Sequence, residues 1–243
     1  MAYGSLLGAV RHHGFIPWDD DCDIIMLRPD YDRFLDYCDS HSEELKPFKL
    51  MNHFNTSGYP FGISRFCDTR FKMIRDESND AGMGLFVDIY PFDGMGNGKL
   101  WEHCYIEFFS TYYTKMAVYA NLFEFTPSHN KFLNVIRKQM YHVAKGKGVQ
   151  YYLEKLDKLA CKFPYETSKY VGAIIWGEHD HHFDKSLFMV SETLEFEGIK
   201  VNVPKQYHKV LTLSYGDYMK LPPENERRFT HGYKLYKKNS NDD

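Results

Sequence analysis

Nowhere in the 243 residues does a run of apolar side chains approach the roughly 20 needed to cross a bilayer as a helix. The N-terminus also lacks the basic-then-apolar order of a secretory leader. Positive charge is in short supply: 30 Lys and Arg face 33 Asp and Glu, and the resulting net charge of −3 argues against general nucleic-acid binding. The five cysteines, Cys22, Cys38, Cys67, Cys104 and Cys161, are odd in number, widely spread and form no C-x-x-C pair. That disfavours both a disulfide framework and a thiolate zinc site, and suits free thiols in a reducing cytosol. Repeats and low-complexity linkers are missing as well.

Aromatic residues, by contrast, are plentiful, with 19 Tyr and 19 Phe. Core packing is their ordinary use, because each buries a large area; stacking on a sugar or base is the alternative. An apolar fraction of 43% and a charged fraction of 26% describe an ordinary globular chain.

Ser5 is placed to cap a helix running to about His13, with Gly14 at its stop. Asp21 to Ile24 reads as a strand. Arg28-Pro29-Asp30 then opens a helix whose Tyr31, Phe34, Leu35 and Cys38 share one apolar face. Phe48 to Phe71 is extended, Asn79 to Gly84 is a Gly-rich loop, and Leu85 to Tyr90 is a buried strand ended by Pro91. Helical spacing recurs at 101–123, 131–144 and 151–163, with Phe132, Val135, Ile136, Met140 and Val143 forming a clear stripe. Tyr170 to Ile175 reads as a short strand, Leu194 to Val203 as a hairpin, and 205–214 as a helix. The sum is an α+β chain. A mixed unit occupies 1–97, a mostly helical region packs on it over 98–238, and 239–243 is a polar tail.

The stretch Gly4 to Ile24, GSLLGAVRHHGFIPWDDDCDI, carries the chemistry. On a strand, Asp21 and Asp23 project from one face. Two adjacent carboxylates repel, and burying them unpaired costs several kcal/mol, on the order of the usual penalty for polar burial. A divalent cation resolves this, and an oxygen-only ligand set favours Mg²⁺ or Mn²⁺ and phosphate chemistry. The helix start at Gly4, Ser5 and Leu6 offers backbone N–H groups to a phosphate. The alternative is a solvated acidic turn with Ser5 as a mere cap; the flanking Trp18, Ile24 and Ile25 favour burial. Asp88, interrupting an apolar strand, is the candidate third ligand, against a plain buried ion pair with an Arg. Asp93 sits in an Asp-Gly turn and reads as structural.

Arg65 is the foremost candidate to neutralise a diphosphate, ahead of Arg11, Arg70, Lys72 and Arg75, each of which reads as a surface charge. His179, His181 and His182 with Asp180 and Asp184 match no standard metal-ligand spacing. The basic excess at Lys131, Arg137, Lys138, Lys145 and Lys147 is either a solvated helix face or a lean toward an anionic surface.

The first segment closely resembles the hallmark of the LicD family, whose relatives include fukutin and fukutin-related protein. GLFVDIYPFDGM at 84–95 resembles its second motif, and FEGIKVNVP with YGDYMKLPP resembles its C-terminal region. The resemblance implies a nucleotidyltransferase-type mixed sheet with Asp21 and Asp23 as metal ligands, Asp88 as a third, and Gly4-Ser5 as the phosphate turn. It also implies transfer of a phospho-alcohol, phosphocholine foremost, from a CDP-linked donor to a hydroxyl of a cell-surface glycan such as teichoic acid, lipopolysaccharide or capsule. Asp20 or Asp88 would be the general base. Such a protein would be cytoplasmic, touching the inner face of the membrane transiently. The family carries a helix and most of a strand ahead of the Gly-Ser turn, whereas this chain begins at Met1-Ala2-Tyr3, so an incomplete first strand is expected. Two other readings stay open: nucleotidyl transfer from an NTP at the same residues with release of pyrophosphate, and an inactive nucleotide-binding remnant or interaction protein.

Overall fold

In a computed structural model, residues 1–176, 182–229 and 232–238 are described. The organising strand is β5 (Leu85–Gly94), LFVDIYPFDG, which is buried at almost every position because it has neighbours on both edges. On one edge it pairs in parallel with β1 (Asp23–Leu27); on the other it pairs antiparallel with β3 (Ser64–Asp68), which in turn pairs with β2 (Phe48–Met51). The short strands β6 (Tyr170–Gly172) and β7 (Phe183–Asp184) extend the same six-stranded sheet beyond Asp93 and Gly94. Two separate two-stranded ladders join β4 (Phe71–Ile74) to β10 (Lys234–Lys237), and β8 (Ser191–Phe196) to β9 (Ile199–Pro204).

The strand does not end at Pro91 as its sequence suggests. Pairing with β3 stops at Ile89, so Pro91 lies where β5 is paired only with β1, an edge-like position that tolerates the ring.

α1 (Tyr3–His12) lies over the sheet, and its Leu6 and Leu7 share a core with Ile63, Phe92, Val171 and Leu211 of α6 (Tyr207–Tyr215). The opposite face is covered by α2 (Arg28–Ser40), whose Tyr31 and Cys38 pack on Leu50 and Ile89, as their spacing predicts. α3 (Leu100–Asn121), α4 (Lys131–Lys147) and α5 (Val149–Ala160) make a second core around Met116, Leu153 and Leu156. Fold class is therefore α+β, with a mixed sheet and flanking helices. The expected strand over 170–175 is shorter than its apolar run, because Ile174 to Trp176 coil into a 3₁₀ turn. His179, Asp180 and His181 and the tail 239–243 lie outside the described residues.

Candidate active site

Asp23 opens β1 and stands level with Asp88 in the parallel ladder, which begins where the Asp88 amide donates to the Cys22 carbonyl. Asp21 lies just ahead of the strand rather than in it, yet its carboxylate still joins the pair. One oxygen each from Asp21, Asp23 and Asp88 lies within 4.8 Å of the other two. Both strand carboxylates are almost sealed from solvent, at 5% exposure for Asp23 and 3% for Asp88.

Burial of this kind penalises the ionised form, and the charges of Asp21, Asp88 and Asp19 add to the penalty. Together they push the Asp23 carboxyl up to about 8, against a partial offset from the Tyr90 hydroxyl. One Asp23 oxygen, Oδ1, is buried with no hydrogen-bond partner, an orphan that such sites seldom leave. Asp88 is compensated differently: Arg65 Nε donates to its Oδ1 at 2.6 Å and Nη2 to its Oδ2 at 3.3 Å. The Arg65 guanidinium is itself clamped between the rings of Phe61 and Phe86, at 4.0 and 3.9 Å from their centroids. Burial works against its charge, but Asp88 outweighs burial and holds its pKa above the ordinary value.

Ser5 does a different job from the one its position suggests. α1 starts three residues earlier, with Ala2 at the cap, so Ser5 lies inside the first turn and is buried. Its Oγ accepts a hydrogen bond from the Asp23 amide at 2.9 Å, tying the helix to the head of β1. The Leu6 amide donates to the Ala2 carbonyl within the helix, which leaves Gly4 and Ser5 as first-turn amides without an intrahelical acceptor. A Cβ at Gly4 would meet the Asp19 carboxylate lying against that turn, so any larger residue there requires Asp19 to shift.

The other basic candidates scatter. Arg11 donates to the Tyr218 carbonyl and to His12, Arg70 pairs with Asp68 at the surface, and Lys72 is exposed on β4. Only Arg75 comes near, sharing the Phe61 ring with Arg65 at 5.4 Å. Asp93 is a buried structural partner of Arg28, 2.6 Å away, and anchors the start of α2. His182 bonds to His103 at 2.8 Å, and Asp184 caps the turn at Ser186; neither belongs to the acidic cluster.

Two participants escape sequence reasoning. Tyr90 lies two residues beyond Asp88, so strand alternation alone would have placed it on the same face. Tyr233 carries no local signal: it arrives from the far end of the chain, donates to the Asp20 carbonyl at 3.0 Å and packs on Phe86. A groove of about 540 Å³ opens beside Asp20 and Asp21, with Phe66, Phe86, Phe196 and Tyr233 also among its lining residues; Asp23, Asp88 and Arg65 do not line it.

A mixed sheet thus presents three clustered carboxylates beside a helix N-terminus. The family described as LicD/FKTN/FKRP, nucleotidyltransferase domain, matches residues 1–132, and the chain belongs to that family. It is also 28% identical over 248 residues to the lipopolysaccharide cholinephosphotransferase LicD of Haemophilus influenzae, covering 96% of this chain and 86% of the relative.

Proposed function

We propose that this protein is a transferase moving a phospho-alcohol, phosphocholine foremost, from a CDP-linked donor to a hydroxyl of a cell-surface glycan, with release of CMP. The observation that carries this is the convergence of Asp21, Asp23 and Asp88 within 4.8 Å, with Asp23 Oδ1 left without a partner. That donor set suits Mg²⁺ or Mn²⁺. Asp21, Asp23 and Asp88 would hold the ion, and a divalent cation there supplies charge stabilisation to the phosphate oxygens of the leaving group. Kinship to a lipopolysaccharide cholinephosphotransferase supports choline and a glycan acceptor.

The remaining residues divide the work. Ser5 fixes the backbone of Asp23. Arg65 balances the charge of Asp88, so Asp88 is a poor base and Asp20, half-exposed beside the cluster, takes the acceptor's proton. The first-turn amides of Gly4 and Ser5 meet a donor phosphate once the Asp19 carboxylate turns aside. The acceptor oxygen attacks the phosphorus bearing the alcohol, the bond from that phosphorus to the bridging oxygen breaks, and CMP departs with the electron pair.

A thermal-shift titration with Mg²⁺ or Mn²⁺ against CDP-choline, CDP-ribitol, CDP-glycerol, CTP and ATP tests this. A ligand at a thousand times its Kd stabilises by about 4 kcal/mol. A metal-dependent shift with one CDP-alcohol, lost in Asp21→Asn/Asp23→Asn, is expected. A shift with the triphosphates alone would replace the proposal with nucleotidyl transfer.

A further inference from the structure

Most of the apolar stripe of α4 faces away from the core on which its Met140 packs. Phe132 is 74% exposed and Val135 70%, and Ile136 and Val143 are about half exposed. The side turned inward is largely polar: Arg137 Nε donates to the Tyr119 hydroxyl at 3.1 Å, the Tyr141 hydroxyl to the Phe123 carbonyl at 3.0 Å, and Asn134 bonds Ser128. Only Ala144 of this helix is fully buried. The helix is thus docked by these hydrogen bonds and by Met140, Tyr141 and Ala144 packed on the α3–α5 core, while Phe132, Val135, Ile136 and Val143 are left to solvent.

Charge borders the stripe. At 3.6 residues per turn, Lys131 and Lys138 flank Val135 on one side and Lys147 flanks Ile136 on the other; all three are exposed. α4 carries five Lys and Arg and neither Asp nor Glu, within a chain of net charge −3. Such local concentration selects the occupant. A second copy laid on the same face would bring two equally basic helices together, whereas an anionic bilayer satisfies cations and apolar groups at once. The helix does not span: no described helix is long and apolar enough.

We propose that α4 is a membrane-surface anchor, lying in the interfacial plane of an anionic bilayer with Phe132, Val135, Ile136 and Val143 inserted and the lysines at headgroup level. Co-sedimentation of the full chain with vesicles of phosphatidylcholine alone, or containing about one-third phosphatidylglycerol, reads this directly. Pelleting with the anionic vesicles, weakened about tenfold or more as salt rises from about 0.1 to 0.5 M, is expected. Phe132→Ser/Val135→Ser, both exposed, should keep the melting temperature and lose at least about tenfold in partitioning, since each buried methylene adds to it. Lys131→Gln/Lys138→Gln should erase the preference for anionic lipid. No pelleting with either vesicle, or unchanged pelleting of the Ser variant, overturns the anchor. So does a dimer in light scattering that the Ser variant converts to a monomer, which makes the face a self-interface. No nucleotide enters the assay, so its failure and that of the transferase proposal are separate.

Discussion

Asp23 and Asp88 stand level across the parallel β1–β5 ladder, one orphaned at Oδ1 and the other held by Arg65. The asymmetry means that Arg65 balances the charge of Asp88 within the protein, whereas Asp23 has no cationic side chain of its own among the described residues that bond the pair; on the proposed reading a divalent cation supplies that charge.

Without metal, Asp23 should make the fold pH-sensitive in an unusual direction. Its carboxyl ionises near 3.8 when unfolded and near about 8 when folded, so between those values only the folded chain holds the proton. Its contribution to stability is full below the lower value and is lost as pH rises through the upper one. In EDTA, the melting temperature of wild type relative to Asp23→Asn should fall between about pH 5 and about pH 8. With saturating Mn²⁺ the difference should reverse and grow with pH, because the ion displaces the proton. A pH-independent difference in EDTA contradicts the environment assigned to Asp23.

Removing Arg65 leaves Asp88 buried and uncompensated. Arg65→Met should cost about 3–5 kcal/mol by denaturant titration, with Arg65→Lys in between. Adding Asp88→Asn to Arg65→Met should recover part of that stability and none of the activity.

Ser5→Ala strips the acceptor from a buried amide, that of Asp23, and should cost about 1–3 kcal/mol. Because the lost bond positions Asp23, which the proposed function makes a metal ligand, metal affinity should weaken too; a Ser5 that merely capped a helix would leave it unchanged.

The Tyr90 hydroxyl bonds the ionised Asp23 and so restrains its upward shift. Tyr90→Phe should move the acid limb of the pH–rate profile up by about one unit, with little change in the alkaline limb. An unmoved acid limb would remove Tyr90 from the site.

Much of this was legible in the residues. The acidic run, Asp88 within an apolar strand and the α2 face all follow from alternation and helical spacing. Three things were not. Ser5 looks like a cap because its type and position fit one, but tertiary packing let α1 begin earlier and spent the hydroxyl on β1. The α4 stripe is clear from periodicity, but periodicity reports amphipathicity and leaves open which side meets the protein. Tyr233 reaches Asp20 across a separation of 213 residues, beyond any local pattern.

The most direct test is product analysis of purified protein given CDP-choline, Mg²⁺ or Mn²⁺ and a glycan acceptor. Wild type should release CMP in step with choline phosphate appearing on the acceptor, and Asp23→Asn should be slower by about 10²–10³. CMP release undiminished in Asp23→Asn, or pyrophosphate as the product from a triphosphate with no CMP from CDP-choline, would contradict the assignment.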